Sequence, residues 1–302
     1  MQPTAPDRLM RMTTKASLCA AALLVVAKAQ VYFDSNSVAL LSSLADSVLD
    51  FLASGVTLIA VRYALSPADA EHRFGHGKAE PLAGLGQAAF VAGSAVLVMI
   101  EAISRFGHPA PSADNTAGIA VMVFSIVVTL ALVSFQRYVV KRRGSLAISG
   151  DSLHYTGDLL MNVGVIAALF LSANFGLTWI DPLFGAGISG FMLINAAVIA
   201  RGALGSLMDH ELTEAEREKI IAIARQHPKV QGVHDLRTRS SGLKQFIQLH
   251  IVLPGSLSLF EAHRISDDVE KAIESEYPEA DIIIHQDAEG VPEYHPPGAV
   301  FP

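Results

Sequence analysis

Long apolar runs, broken by a few regularly spaced polar residues, fill the first two-thirds of the chain. They give way to a charged, alternating texture after about residue 207. A membrane-spanning helix needs about 20 mainly apolar residues. Six segments meet that requirement, at roughly 14–32, 38–63, 82–105, 115–139, 152–173 and 179–205. The fourth is clean from 117 to 133, whereas the second and fifth carry acids. The pattern predicts a membrane all-α bundle of six transmembrane helices.

Beyond it, Thr213-x-x-Glu216 is a capping box that predicts a helix to about His227. Two runs with rough apolar–polar alternation follow, near 232–239 and 245–253, and read as strands. Ser258-x-x-Glu261 opens a second helix that Tyr277-Pro278 ends, and 280–285 reads as a third strand. The order α-β-β-α-β is that of a small C-terminal α+β domain. The expected organisation is a cytoplasmic N-terminal segment at 1–13, the six-helix domain at 14–207 and a cytoplasmic domain at 208–290. A Pro-rich tail at 291–302 has too few apolar residues to pack and is expected to be disordered.

Composition agrees with the pattern. Charged residues make up 17% of the chain, against about 25% in soluble domains, and mean hydropathy is +0.40. The net charge of −7 gives no hint of nucleic-acid binding, which would call for a basic stripe. Cys19 is the single cysteine, so neither an internal disulfide nor a thiolate metal cluster can form. Arg8, Arg11 and Lys15 precede the first apolar run as in a signal peptide, but more apolar segments follow without a clear small-residue cleavage site. That run therefore reads as the first membrane helix. Arg62, Arg73 and Lys78 flank the 2–3 loop and Arg137, Lys141, Arg142 and Arg143 end helix 4, while loops 33–37 and 174–178 hold no Lys or Arg. The positive-inside rule then puts both termini in the cytoplasm.

The chemistry lies in the acid-bearing helices. Asp46 and Asp50 stand four residues apart on one face of helix 2, with Ser42 and Ser54 extending the stripe. His154 and Asp158 repeat that spacing on helix 5, with Asn162 a turn further. A charge at the bilayer centre costs roughly 2.5–3.5 kcal/mol, so three unpaired carboxylates would cost on the order of 8–10 kcal/mol. No Arg or Lys lies at matching depth in either helix, and a divalent cation held by the four side chains would offset the cost. Carboxyls near the helix ends, or sharing protons, are the alternative. One imidazole and three carboxylates suit Zn²⁺, Fe²⁺, Cd²⁺ or Mn²⁺ and are poor for Cu⁺. Lys28 and Glu101 are single polar residues of helices 1 and 3, read as snorkelling or helix-pairing residues. In the 2–3 loop Asp69, His72 and His76 could close around one ion, although polar loops often hold histidines. The soluble domain carries His234, His250, His263, His285 and Asp287, and alternation sets His285 and Asp287 on one side of the last strand. Ordinary surface histidines would fit that spacing too.

At these residues the chain resembles the cation diffusion facilitator family, and in particular its bacterial zinc/iron exporters, over essentially residues 10–288. The motifs are Ala45-Asp46-x-x-x-Asp50, His154-x-x-x-Asp158, Phe74-Gly75-His76-Gly77-Lys78-x-Glu80 and the run His234–Arg239. The resemblance implies a transport site of Asp46, Asp50, His154 and Asp158. It implies a second site of Asp69, His72 and His76 at the membrane–cytoplasm boundary. His234, His250, His263, His285 and Asp287 match a binuclear site where two metallochaperone-like cytoplasmic domains meet in a homodimer. Lys78 and Asp209 match a charged pair that locks the helices near the dimer interface. Function by implication is efflux of Zn²⁺, with Fe²⁺ or Cd²⁺ as alternatives, across the cytoplasmic inner membrane by proton-coupled alternating access. The metal serves as both substrate and regulatory ligand. The short basic loop 141–145 lacks the His-rich insertion of many eukaryotic zinc transporters.

Two rivals come from other classes. An intramembrane aspartyl protease needs one aspartate on each of two helices, with a Gly-x-Gly-Asp pattern at one of them. Here Tyr155 stands where the first Gly would be, and the acids come in same-helix pairs with a histidine. A metal-gated sensor or channel without proton antiport would use the same ligands.

Overall fold

A computed structural model describes residues 5–35, 38–107, 116–175, 179–242 and 244–291. The chain divides into two compact units, Met1–Leu204 and Gly205–Pro302. The expected disordered tail falls, from residue 292 on, outside the described residues.

The first unit is built from six long helices: α1 (Ala5–Ser35), α2 (Val38–Ala64), α3 (Ala79–Gly107), α4 (Thr116–Arg143), α5 (Leu146–Phe175) and α6 (Ile180–Leu207). Among the described residues, five of them (all but α5) are long and apolar enough to cross a membrane, and α5 is the sixth of the bundle. α1 starts earlier than the apolar run at 14. Pro6 falls in its first turn, where a missing N–H costs nothing. One side of the stretch after it is packed: Met10, Thr13 and Thr14 are buried, while Arg8, Met12 and Lys15 are exposed, and the Thr13 hydroxyl donates to the Leu9 carbonyl at 2.8 Å. Outward positions such as Ile59, Leu97 and Ile194 are exposed and apolar, as a lipid-facing surface requires.

α5 runs through the middle of this arrangement, touching α3, α4, α2 and α1. Two features seat its N-terminus. Gly144, at φ +67, closes α4 by donating to the Val140 carbonyl at 2.7 Å. The buried Glu80 carboxyl of α3 then accepts the Leu146 N–H at 3.0 Å, capping the N-terminus of α5. Glycine lets α3 and α5 approach closely, since a Cβ on Gly150 would lie 2.6 Å from Gln87 Cβ. Ala88, Val91 and Ala95 of α3 pack there with Leu153 of α5 and with Met192 and Ala196 of α6.

The second unit contains α7 (Glu214–Ala224), β1 (Gly232–Ser241), β2 (Lys244–Leu253), α8 (Leu259–Glu276) and β3 (Asp281–Ala288), the α-β-β-α-β order expected. α7 ends three residues short of His227, with Arg225 as its C-cap. β2 is central, antiparallel to β1 and parallel to β3. Both capping boxes form: Glu261 accepts the Ser258 N–H at 3.0 Å while Ser258 Oγ accepts the Glu261 N–H at 3.3 Å, and Glu216 accepts the Thr213 N–H at 3.0 Å. The core joins Ile220 and Ala224 of α7, Ile247, Leu249 and Ile251 of β2, and Ile265, Val269 and Ile273 of α8.

Candidate metal centre

α2 and α5 bring three of the four expected membrane ligands together. His154 Nε2 lies 2.8 Å from Asp50 Oδ1 and 3.6 Å from Asp158 Oδ2. One ligand atom from each of Asp50, His154 and Asp158 lies within 4.8 Å of the others. His154 is 7% exposed, and its ring meets Phe90 of α3 edge-on at 5.3 Å between centroids. Asp46, a turn from Asp50, stands outside this cluster but lines the same cavity of about 330 Å³, as does Asn162. A carboxylate pair and an imidazole at these separations form a ready-made set of hard and borderline donors.

Behind the cluster lies a residue that sequence reasoning missed. Asp151, one turn before His154, is 1% exposed. Its carboxylate accepts from Ser54 Oγ of α2 at 3.3 Å and from Gln136 Nε2 of α4 at 2.8 Å. Gln136 also donates to Ser17 of α1 at 3.0 Å, and Ser54 lies 2.8 Å from the Tyr155 hydroxyl. Ser54 thus serves this network rather than the ligand stripe assigned to it; the side chain of Ser42 lies outside the described residues. The signal available was the i, i+3 spacing of Asp151 and His154, but which helices face Asp151 cannot be read from one chain. Lys28 pairs α1 with α2, as expected, donating from Nζ to Ser47 Oγ at 2.7 Å and to the Ser43 carbonyl at 3.2 Å. It also lines the cavity of the acids, so a cation does lie beside them, supplied by a third helix.

The loop triad is also assembled. Asp69 Oδ1 accepts the N–H groups of Glu71 and His72 at 2.9 and 2.6 Å. The His72 bond, more than any other influence, holds its carboxyl below the ordinary carboxylate range. Its other oxygen lies 3.3 Å from His76 Nε2, and the His72 and His76 rings are 4.5 Å apart. Gly75, at φ +82, makes the turn between the two histidines. His76 is buried, with Nδ1 lacking a partner among the described residues. Donors of all three residues lie within 4.8 Å of one another.

In the second unit, sheet register does the assembly. His234 pairs with His250 across β1–β2, and His250 with His285 across β2–β3. Asp287 receives all three, at 3.5 Å from His234 Nε2, 2.9 Å from His250 Nδ1 and 3.3 Å from His285 Nε2. His263 is not among them: it lies on α8, 3.7 Å from Asp267. Asp209, in the left-handed region at φ 57, lies 3.3 Å from Arg239 within the second unit, whereas Lys78 belongs to the first.

A helical membrane domain with an acidic–histidine cluster between two helices, followed by an α+β domain carrying a histidine–aspartate cluster, defines a membrane metal-cation transporter rather than an enzyme. The chain belongs to the cation efflux family, the cation diffusion facilitators: the family's transmembrane domain matches residues 14–208 and its cytoplasmic domain residues 212–289. It is 44% identical over 287 residues to the cation-efflux pump FieF of Pectobacterium carotovorum, covering 95% of each chain. The FieF of Cronobacter sakazakii is 44% identical over 280 residues, covering 92% of this chain and 93% of its own. That of Shewanella oneidensis is 42% identical over 281 residues, 93% and 95% respectively.

Proposed function

We propose that this chain exports a divalent cation from the cytoplasm across the cytoplasmic membrane by proton-coupled alternating access, as a homodimer. Zn²⁺ is the first candidate, with Fe²⁺, Cd²⁺ and Mn²⁺ as alternatives. The observation that carries this reading is the convergence of Asp50, His154 and Asp158 within 4.8 Å inside the bundle, with Asp46 lining the same cavity. The names of the relatives, cation-efflux pumps, support the direction of transport. Both termini are assigned to the cytoplasm from the Lys and Arg bias of the loops. Asp69, His72 and His76 would receive metal at the membrane–cytoplasm boundary. His234, His250, His285 and Asp287, with His263, would hold regulatory metal where two cytoplasmic domains meet.

Coupling follows from linkage. Metal binding needs ionised aspartates and a neutral imidazole, so occupancy displaces protons. The 2.8 Å contact between His154 Nε2 and Asp50 Oδ1 supports this reading, since a proton shared between those atoms would have to give way to a cation. An imidazole titrates near pH ~6.5, so an acidic outer face favours protonating His154 and releasing the cation. Rocking of the helices then returns the protons inward.

Flux into proteoliposomes, with and without a pH gradient and with Zn²⁺, Fe²⁺, Cd²⁺ and Mn²⁺ in competition, tests this. The gradient should accelerate uptake, and Asp158→Asn should lower it by more than about tenfold, since even outer-shell partners change metal affinity on that scale. His154→Ala should flatten the pH profile. Uptake indifferent to the gradient would point instead to a metal-gated channel or sensor.

A further inference from the structure

The wall of the transport cavity supplied by α1 carries a charge that the four-ligand reading does not use. Among the described lining residues Lys28 is the only lysine or arginine, and it shares the cavity with Asp46, Asp50, His154 and Asp158. A lysine inside a membrane helix ordinarily extends its head toward the interface. This one is turned onto α2, where Ser47 Oγ and the Ser43 carbonyl hold its ammonium at 2.7 and 3.2 Å. Ser47 is itself 1% exposed and lies between Asp46 and Asp50 in sequence. The ammonium is therefore pinned to the helix that supplies two of the acids.

We infer that Lys28 is a fixed counter-charge that sets the valence and affinity of the transported ion; this rests on the reading of Asp46, Asp50, His154 and Asp158 as the transport site. The physical reason is charge balance in a poorly solvated cavity, where an uncompensated charge is strongly disfavoured. With the acids ionised and His154 neutral, three carboxylates against one ammonium leave two negative charges, which one divalent cation cancels. A monovalent ion leaves one negative charge behind and a trivalent ion adds a positive one. Lys28 also repels the bound cation, so that the site releases it instead of trapping it. Without Lys28, a divalent ion would enter a cavity one charge more negative and be held longer.

Zn²⁺ flux through reconstituted full-length protein tests this. Lys28→Met should lower KM by roughly ten- to hundredfold, the scale of removing one nearby unit charge at protein-like dielectric, and lower kcat as release slows. Lys28→Arg should keep both parameters near wild type. Asp46→Asn should raise KM, and adding Lys28→Met to it should bring KM back toward wild type, because the pair of changes restores the balance of two negative charges. A damaged fold gives neither the tighter binding nor the rescue. Asp50→Asn separates the two readings. If it leaves Zn²⁺ flux intact, the transport-site assignment itself is wrong. If it abolishes flux while Lys28→Met raises KM or leaves it unchanged, or the double variant shows no rescue, the counter-charge role is overturned and the transport site stands.

Discussion

The Asp151 carboxylate of α5 ties its helix to two others by hydrogen bonds. It bonds Ser54 of α2 and Gln136 of α4, and Gln136 carries the connection on to Ser17 of α1. A buried polar group that loses its partner costs about 1–3 kcal/mol, whereas a group that keeps one hydrogen bond costs less. Asp151→Leu should therefore lower the thermal stability of the detergent-purified protein markedly, and Asp151→Asn, which keeps an acceptor oxygen, should lower it less. Equal stability of the leucine variant and wild type would remove the network from any account of the bundle. Glycines nearby allow a sharper comparison. A Cβ on Gly150 would meet Gln87 Cβ at 2.6 Å, close to the α3 backbone, while one on Gly157 would meet Met192 Cε at 2.4 Å, the far end of a flexible side chain. Gly150→Ala should accordingly destabilise by about 1–3 kcal/mol, the usual cost of overpacking, and Gly157→Ala by clearly less. Melting curves of the two variants settle the order.

Between elements, the strength of a contact depends on what surrounds it. In the second unit Lys219 of α7 donates to Glu276 of α8, and that bond raises the lysine above its ordinary value of 10.5. A raised lysine contributes stability that is present below pH 10.5 and is lost as pH rises through the higher folded value. Both side chains are about half exposed, so the contribution is small. The urea midpoint of wild type should exceed that of Lys219→Met slightly at neutral pH, and the gap should close above pH 10.5; a gap that widens there would contradict the assignment. Elements were also the scale most legible in the sequence. Apolar runs, capping boxes and alternation are local signals, so the six helices and the α-β-β-α-β order could be written down from them. Spacing on a single helix is local as well, which is why His154 and Asp158 stood out. Neighbour relations between helices are not local. Lys28 looked like an isolated polar residue because nothing in α1 tells that Ser47 of α2 will hold it. Asp151 was hidden for the same reason, and the placing of Asp46 outside the cluster depends on the crossing of α2 and α5.

At the scale of the whole molecule the question is how cytoplasmic metal could govern transport. Register alone lines up His234, His250 and His285 across three strands, with Asp287 against all of them. His263 stays apart on α8, with Asp267 as its neighbour. One copy thus offers a concentrated donor set and one detached histidine. A second copy could satisfy both if metal at the strand cluster drew the α8 histidine of the opposite domain. A ligand that binds only the assembled form stabilises it by mass action, by about 2.7 kcal/mol at a hundredfold excess over its dissociation constant. Dimer formation by the purified full-length chain should therefore strengthen with Zn²⁺ and weaken when a chelator strips it. His263→Ala should blunt that response while leaving Zn²⁺ transport measurable, and His250→Ala together with Asp287→Ala should abolish it. Analytical ultracentrifugation at several metal concentrations reads the first effect and flux into proteoliposomes the second. If the ligand-free variants still dimerise and still gain activity with cytoplasmic metal, regulation does not pass through this sheet, and the loop triad of Asp69, His72 and His76 becomes the place to look for it.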